Sequence, residues 1–473
     1  MQEIKTNVAI IGAGTAGIQA YKSVKEAGLK PLLIEQGPIG PTAIKSGSVP
    51  MQILRELSLT KHLVKPNSFT TYGKNAESKS DNNQIFETLR TKKNAIFDGY
   101  IKELYLIPDD EKIIGEASFI DANTIAIKDE DLIIKFDSAV IATGSTPYIP
   151  LFLKNIESKV LTSNNLFDLK EVPTSVAIFG SGSIGLELGQ ILSRLNIKTI
   201  IFGEKKFWRF TDQIVADEAL NAYKTKANII MDSQITEMKI NDNNTVTIYY
   251  FDESKRECIQ NVDYVIAATG RIPNLKKLKL EDIGLRFNQD STPYFNELTM
   301  QTSISNIFVA GDVAIEHGTL QNANFQGKLA GENAAKYPKN PVEKQLPNQE
   351  ILFTSPEMAI VGMSYDELTS TARKGKKFIV GEALISKHQL SSIREEKYGI
   401  IHTFFSADTF EFLGAQMCLP DAQHIAQFLN CALINKMTLK ELLNYSFYHP
   451  SIFEVLYDSF LDADKKIKLN KYR

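Results

Sequence analysis

The sequence predicts an α/β protein, with two Rossmann-like dinucleotide-binding domains and a C-terminal α+β domain. Three observations predict it: a strand, glycine turn, helix and strand follow one another near the N-terminus, the same order returns at Ser175, and the texture changes from Ile351 onward. In the first unit Val8-Ala9-Ile10-Ile11 ends at Gly12, a helical pattern runs from Thr15 to Ala27, and Leu32-Leu33-Ile34 leads to Glu35. Strands that are apolar throughout belong to a parallel sheet covered on both faces, and this order is the βαβ signature. The second unit has strand Val176-Ala177-Ile178-Phe179, turn Gly180 to Gly185, a helix to Leu195 and strand Thr199-Ile200-Ile201-Phe202. Each unit has a later partner strand that runs into Thr-Gly, Ala139 to Gly144 and Val265 to Gly270, and a third strand-like segment, Ile307 to Asp312, runs into Gly-Asp. Tyr337 to Gln349, rich in Pro, Lys and Asn, reads as a linker to the last domain, which includes a helix at Asp421 to Leu433. The expected boundaries are 1–150 for the first domain, 151–273 for the second, 274–346 for a return to the first, and 347–473 for the last.

Composition narrows the function classes. At ~150 residues per domain, 473 residues make two to four domains. Lys+Arg 53 against Asp+Glu 56 gives a net charge of -3, without the basic excess that phosphate backbones demand. Cys258, Cys418 and Cys431 contain no close pair, so neither a disulfide framework nor a cysteine zinc site is expected, and three unpaired thiols fit a reducing compartment. The N-terminal Met-Gln-Glu-Ile-Lys-Thr carries no secretory pattern, and the apolar runs fall far below the ~20 residues of a membrane span. A soluble cytoplasmic protein is expected, with no nucleic-acid partner, no membrane segment and no bound metal.

The first turn is Gly12-Ala13-Gly14-Thr15-Ala16-Gly17. Its first glycine makes the tight turn, the second lets backbone approach a pyrophosphate, and the third lets helix and strand pack closely. The helix N-terminus adds partial positive charge, and Glu35 at the end of the second strand is placed to accept from ribose hydroxyls. The second turn, Gly180-Ser181-Gly182-Ser183-Ile184-Gly185, has the same context. Its second strand is followed instead by Gly203-Glu204-Lys205-Lys206 and then Arg209. These cations either bind a 2′-phosphate or form a solvated loop, which leaves NAD and NADP both open.

Further motifs join the two turns: Ala142-Thr143-Gly144-Ser145-Thr146-Pro147, Ala268-Thr269-Gly270-Arg271-Ile272-Pro273-Asn274, Val309-Ala310-Gly311-Asp312-Val313, Phe353-Thr354-Ser355-Pro356-Glu357 and His449-Pro450-Ser451-Ile452-Phe453-Glu454. Together, over essentially the whole chain, they resemble the FAD-dependent pyridine nucleotide-disulfide oxidoreductases, dihydrolipoamide dehydrogenase being closest in style. The resemblance implies FAD on the first turn, Asp312 on the ribityl chain and NAD(P)H on the second turn. It implies cofactor contacts from Gly12, Gly14, Thr15, Ala16, Gly17, Glu35, Thr42, Ala117, Thr143, Gly144, Gly180, Gly182, Ile184, Gly185, Glu187, Arg209, Gly270, Asp312 and Ala323. It also implies a homodimer in which the last domain lends catalytic His449 and Glu454 to the partner's active site.

The chain departs from this family at its defining chemistry. The family carries two cysteines in a Gly-Gly-Thr-Cys…Cys-Ile-Pro stretch, and they form a redox disulfide beside the flavin. This chain keeps the frame (Gly40, Thr42, Gly47, Pro50) but has Ala43 and Ser48 at both cysteine positions. Neither forms a disulfide or a thiolate pair with flavin. Cys258, Cys418 and Cys431 read as ordinary small apolar residues. Met51-Gln52 replaces the lysine that follows the second cysteine, with Gln52 a candidate hydrogen-bond partner of Glu187. The leading expectation is an NAD(P)H oxidoreductase whose FAD passes electrons directly to a small acceptor such as a quinone, with His449 either protonating that acceptor or remaining as an interface relic. The alternatives are a dihydrolipoamide dehydrogenase-type enzyme, a pyridine nucleotide transhydrogenase and a non-catalytic FAD-binding protein. The cationic tail Lys465 to Arg473 reads as a frayed, solvated terminus, with contact to an anionic membrane as the other reading.

Overall fold

The computed structural model describes residues 2–37, 40–63, 82–128, 130–289, 291–314 and 318–471. It divides into two compact units, each built from separated stretches of chain. The first comprises Met1–Ile149, Leu161–Val172 and Gly270–Leu346. Its centre is a parallel sheet in the order Ile307–Val309, Leu132–Ile141, Gln2–Ile11, Pro31–Glu35, Lys112–Ile114. The first strand is longer than the apolar run Val8–Ile11 predicts. Its leading half, Gln2 to Thr6, alternates in exposure and pairs with Leu132 to Phe136, so sheet pairing extends it.

Both faces of this sheet are covered, which explains the unbroken apolar runs. Val8 and Ile10 pack with Ile18, Val24 and Leu329 on one face. Ala9 and Ile11 pack with Phe119, Ile125 and Ile134 on the other. Helix Thr15–Glu26 crosses helix Leu320–Lys336 at very short range, because a Cβ at Gly327 would lie 2.2 Å from the Ala16 carbonyl oxygen.

The second unit comprises Pro150–Val160, Pro173–Thr269 and Pro347–Arg473. Its nucleotide-domain strands run parallel in the order Asn228–Met231, Lys198–Gly203, Ser175–Phe179, Tyr264–Ala267. An antiparallel meander, Gln234–Ile240, Val246–Phe251 and Glu257–Val262, packs beside them. The C-terminal part is an antiparallel five-stranded sheet ordered Gln349–Leu352, Glu357–Gly362, Phe412–Leu419, Ile400–Ser406, Phe378–Leu384. Helices Ala422–Ile434 and Phe453–Lys471 share its core.

One expectation is corrected here. Through Lys471 the tail is the end of helix Phe453–Lys471 rather than a frayed terminus. Lys466 and Lys468 pair with Asp462 and Asp464 one turn back, and Lys466 also donates to the Val380 carbonyl. Tyr472 and Arg473 lie outside the described residues. No helix among the described residues is long and apolar enough to cross a membrane.

Candidate active site

In the first turn the chain leaves its strand at Ile11, and the Gly12 N–H donates to the Ile34 carbonyl at 2.8 Å. Gly12 has φ 108, and a Cβ there would sit 2.3 Å from the Ala142 carbonyl oxygen. A Cβ on Gly17 would lie 1.8 Å from the Gly12 oxygen. Both glycines are therefore demanded by packing. Gly14 differs: among the described residues a Cβ there meets nothing within 4 Å, and no side chain caps the helix that it opens. The space over an uncapped helix N-terminus is where an anion is favoured. Glu35 holds this turn in place, one carboxylate oxygen accepting from Ala13 N–H at 2.7 Å and the other from Gly37 N–H at 3.0 Å.

A polar cluster follows in the same unit. Asp312 accepts from the Ser145 hydroxyl at 2.9 Å, and Ser145 accepts from Arg271 Nε at 2.7 Å. Arg271 is mostly buried, which pulls its pKa down, while the Asp312 carboxylate opposes the shift. Asn274 donates to the Thr143 carbonyl, whereas the buried Thr143 hydroxyl has no hydrogen-bond partner among the described residues. Gly311 donates to Gln326, and a Cβ there would approach Ala16 and Ala323. The turn Gly12–Ala13–Gly14–Thr15–Ala16–Gly17 thus lies against Ala142 and Thr143 and is braced by Glu35, and Gly311, the residue before Asp312, approaches Ala16 and Ala323; Gly144 follows Thr143 in the chain. Gly270 lies close by in the chain, its carbonyl accepting from Tyr148 N–H. Ala117 is buried on strand Ala117–Asp121 in the core beneath the sheet. The open space at Gly14 and the unpartnered Thr143 hydroxyl fit an FAD.

The second turn repeats the construction. A Cβ on Gly180 (φ 115) would lie 2.2 Å from the Ala268 oxygen, one on Gly185 would lie 2.0 Å from the Gly180 oxygen, and Gly182 again faces open space. Ile184 and Glu187 lie on the helix Ser183–Arg194 that follows. The strand after it ends at Gly203, where a Cβ would come within 2.6 Å of Met231 Sδ. Ser181 and Ser183 tether the next loop: the Ser181 hydroxyl accepts from Glu204 N–H, and Ser183 accepts from Trp208 Nε1. Glu204, Lys205 and Lys206 are exposed. Arg209 is ion-paired with Glu350, a partner on the C-terminal sheet. Glu187 also has a partner that sequence reasoning missed, accepting from Phe353 N–H at 3.0 Å. Gln190 brackets Ser355 in the same way, accepting from its N–H and donating to its carbonyl.

Ala43 lies on the short helix Thr42–Lys45, and Ser48 opens helix Ser48–Leu63. The connection is tight, since a Cβ on Gly47 would lie 2.8 Å from the Ala43 Cα. The three thiols all belong to the other unit, and they are not alike. Cys418 is buried, which pushes its thiol up, Cys258 is half-buried and Cys431 is exposed, so only Cys418 is a fully interior residue.

His449 Nδ1 donates to Glu454 Oε1 at 2.8 Å, and the other carboxylate oxygen accepts from Ser451 N–H at 3.1 Å. The His449 hydrogen bond holds the Glu454 carboxyl below its usual range. The imidazole is 62% exposed, so its remaining nitrogen is accessible. A packed cluster of Phe428, Tyr445, Phe447, Phe453 and Tyr457 fixes the loop beneath it. A second histidine had no signal in the sequence. His402 is buried with Nδ1 2.6 Å from Asp212 and Nε2 3.1 Å from Glu382. Asp212 also caps helix Gln213–Lys224, so this cluster ties that helix to the C-terminal sheet. Among the described residues no group of three or more His, Cys, Asp or Glu is placed to hold a metal ion.

Comparison with known proteins agrees with this construction. Residues 6–327 match the pyridine nucleotide-disulphide oxidoreductase model, and residues 349–459 match the dimerisation domain of the same group. A mercuric reductase of Staphylococcus aureus is 28% identical over 97% of this chain and 82% of its own. A dihydrolipoyl dehydrogenase of Geobacillus stearothermophilus is 25% identical over 96% of this chain and 95% of its own. Among solved structures, the Cu(II) complex of the HOCl-induced flavoprotein disulfide reductase RclA from Escherichia coli superposes with a TM-score of 0.80 at 20% identity, covering 97% of this chain and 99% of that one.

Proposed function

The chain belongs to the pyridine nucleotide-disulphide oxidoreductase family, and from that premise we propose an NAD(P)H:acceptor oxidoreductase whose electrons reach a small acceptor without passing through a disulfide. The family's members are flavin-dependent oxidoreductases, with FAD and NAD(P)H as cofactors. The observation that carries the finer reading is Ala43 and Ser48. A disulfide substrate must be attacked by a thiolate, and a serine hydroxyl has too high a pKa to replace one.

When bound, FAD supplies two-electron chemistry between nicotinamide and acceptor. In this reading Gly14 and the helix N-terminus bind its diphosphate, Glu35 its ribose and Asp312 its ribityl chain. Gly182 and the second helix N-terminus bind NAD(P)H. A quinone needs a hydride and one proton to become a hydroquinone. His449, oriented by Glu454, holds that proton at Nε2 and delivers it to the acceptor oxygen. The chain pairs as a homodimer through its dimerisation domain, and each subunit lends this histidine to the other. Alanine at position 43 is smaller than the family's cysteine and would leave more room for a flat acceptor.

Anaerobic titration with NADH and NADPH, followed by a panel of quinones, dyes, lipoamide and glutathione disulfide, tests this function. Bleaching without a long-wavelength thiolate charge-transfer band, with turnover on quinones or dyes only, is expected. Robust reduction of lipoamide would overturn the reading.

A further inference from the structure

Three neighbouring parallel strands, Gln2–Ile11, Leu132–Ile141 and Ile307–Val309, end level with one another, with Ile11, Ile141 and Val309 in register. Ligands of such sheets sit in the crevice outside the carboxyl ends of the strands. The segments that leave these ends meet there: a Cβ on Gly12 would run into Ala142 and Thr143, and one on Gly311 would lie 3.0 Å from the Ala16 Cβ. Ser145 and Asp312 follow on two of these segments, and the Ser145 hydroxyl donates to Asp312 Oδ2 at 2.9 Å. Arg271 reaches Ser145 from a two-stranded ribbon, Arg271–Pro273 against Ser145–Pro147. Its guanidinium grips Ser145 twice, Nε donating to the hydroxyl oxygen and Nη2 to the carbonyl, each at 2.7 Å.

This grip decides where the serine proton goes. A hydroxyl has one proton and turns to suit its surroundings; with Arg271 Nε already donating to its oxygen, the Ser145 proton is left for Asp312. Arg271 Nε also lies 3.7 Å from Asp312 Oδ2, so a hydroxyl and a cation hold the same carboxylate oxygen. The guanidinium side chain is only 19% exposed, whereas that of Asp312 is 30% exposed and keeps part of its surface open. We propose, on the reading that Asp312 contacts the ribityl chain, that Arg271 is a positioning residue for the cofactor: through Ser145 it fixes the Asp312 carboxylate in the orientation that meets FAD. In the plain alternative Arg271 only ties the ribbon to the sheet.

The test is a double-mutant cycle read as FAD binding to the stripped protein, followed by quenching of flavin fluorescence. Arg271→Lys keeps the charge but loses the fork, and Asp312→Asn loses the carboxylate; each should bind FAD about tenfold more weakly than wild type. In the Asp312→Asn background Arg271→Lys should cost less than about twofold more, because the two residues act along one path. Ser145→Ala cuts that path at its middle and should match Arg271→Lys, alone and in the cycle. It keeps the test open if circular dichroism and melting show that the Arg271→Lys apoprotein folds poorly. Losses that multiply to about a hundredfold in the double variant, or wild-type affinity in Ser145→Ala, overturn the proposal. Wild-type affinity in Asp312→Asn would instead sink the reading of Asp312, and this proposal with it.

Discussion

The two glycine turns give the sharpest test of which cofactor goes where, because within each turn the glycines exist for different reasons. Gly14 has φ -77 and ψ -175, a conformation open to any residue, with no atom within 4 Å of a Cβ. Alanine there replaces glycine at a helix N-cap, a change worth under about 1 kcal/mol. Gly14→Ala should therefore fold and melt within a few degrees of wild type as an apoprotein. Its methyl group fills the space through which a diphosphate approaches the helix N-terminus, so FAD affinity should fall about tenfold or more, equivalent to ~1.4 kcal/mol. Gly17→Ala places a Cβ 1.8 Å from a backbone oxygen that cannot move without opening the turn. Such overpacking costs roughly 3 kcal/mol or more, so this variant should yield little folded protein. In the second turn Gly182 has φ -79 and ψ -178 and again faces open space. Gly182→Ala should keep its yellow flavin while its KM for NAD(P)H rises about tenfold or more. The assays are visible absorbance per protein, melting of the apoproteins and anaerobic bleaching. Loss of flavin from Gly182→Ala with retention by Gly14→Ala would reverse the assignment. Equal damage from Gly14→Ala and Gly17→Ala would refute the packing argument itself.

His449→Ala should slow acceptor reduction ~100-fold while hydride transfer from NAD(P)H to FAD stays near wild type, as stopped-flow bleaching and steady-state turnover would separate; unchanged turnover returns His449 to a structural role. The hydrogen bond from His449 lowers the Glu454 carboxyl from its usual 4.5, so the stability of this pair is present above that value and lost as pH falls through the lowered one. Histidine NMR shifts should accordingly show the pair intact at neutral pH and dissolving only below 4.5. Asp212→Ala removes the cap of helix Gln213–Lys224 and a buried partner of His402, a loss on the order of 2–4 kcal/mol that thermal melting should report, with Asp212→Asn milder. Because Arg209 is tied to Glu350, Arg209→Ala should leave the ratio of kcat/KM for NADPH and NADH unchanged; a collapse of NADPH use would show that Arg209 reaches a 2′-phosphate after all.

The sequence by itself determined the parts whose geometry is local. Gly12 and Gly17 contact each other within six residues, and Gly180 and Gly185 repeat the contact, so spacing alone carries the turn. The apolar runs at Val8 and Val176 announce strands covered on both faces, since successive residues, and not only alternate ones, must be apolar when neither face meets water. The loss of both cysteines at Ala43 and Ser48 is likewise a statement of composition at a register position. The tertiary structure decided what long-range packing controls. Arg209 reads as a free cation beside a strand end, yet its partner is 141 residues away on the C-terminal sheet. Glu187 meets Phe353 across 166 residues, and His402 meets Asp212 across 190. No periodicity encodes such pairs, because each arises where separately folded elements bring groups of complementary charge or hydrogen-bonding capacity together, the Phe353 backbone N–H among them. The tail through Lys471 is helical, and there Lys466 finds the carbonyl of Val380, a contact available only once the neighbouring sheet exists.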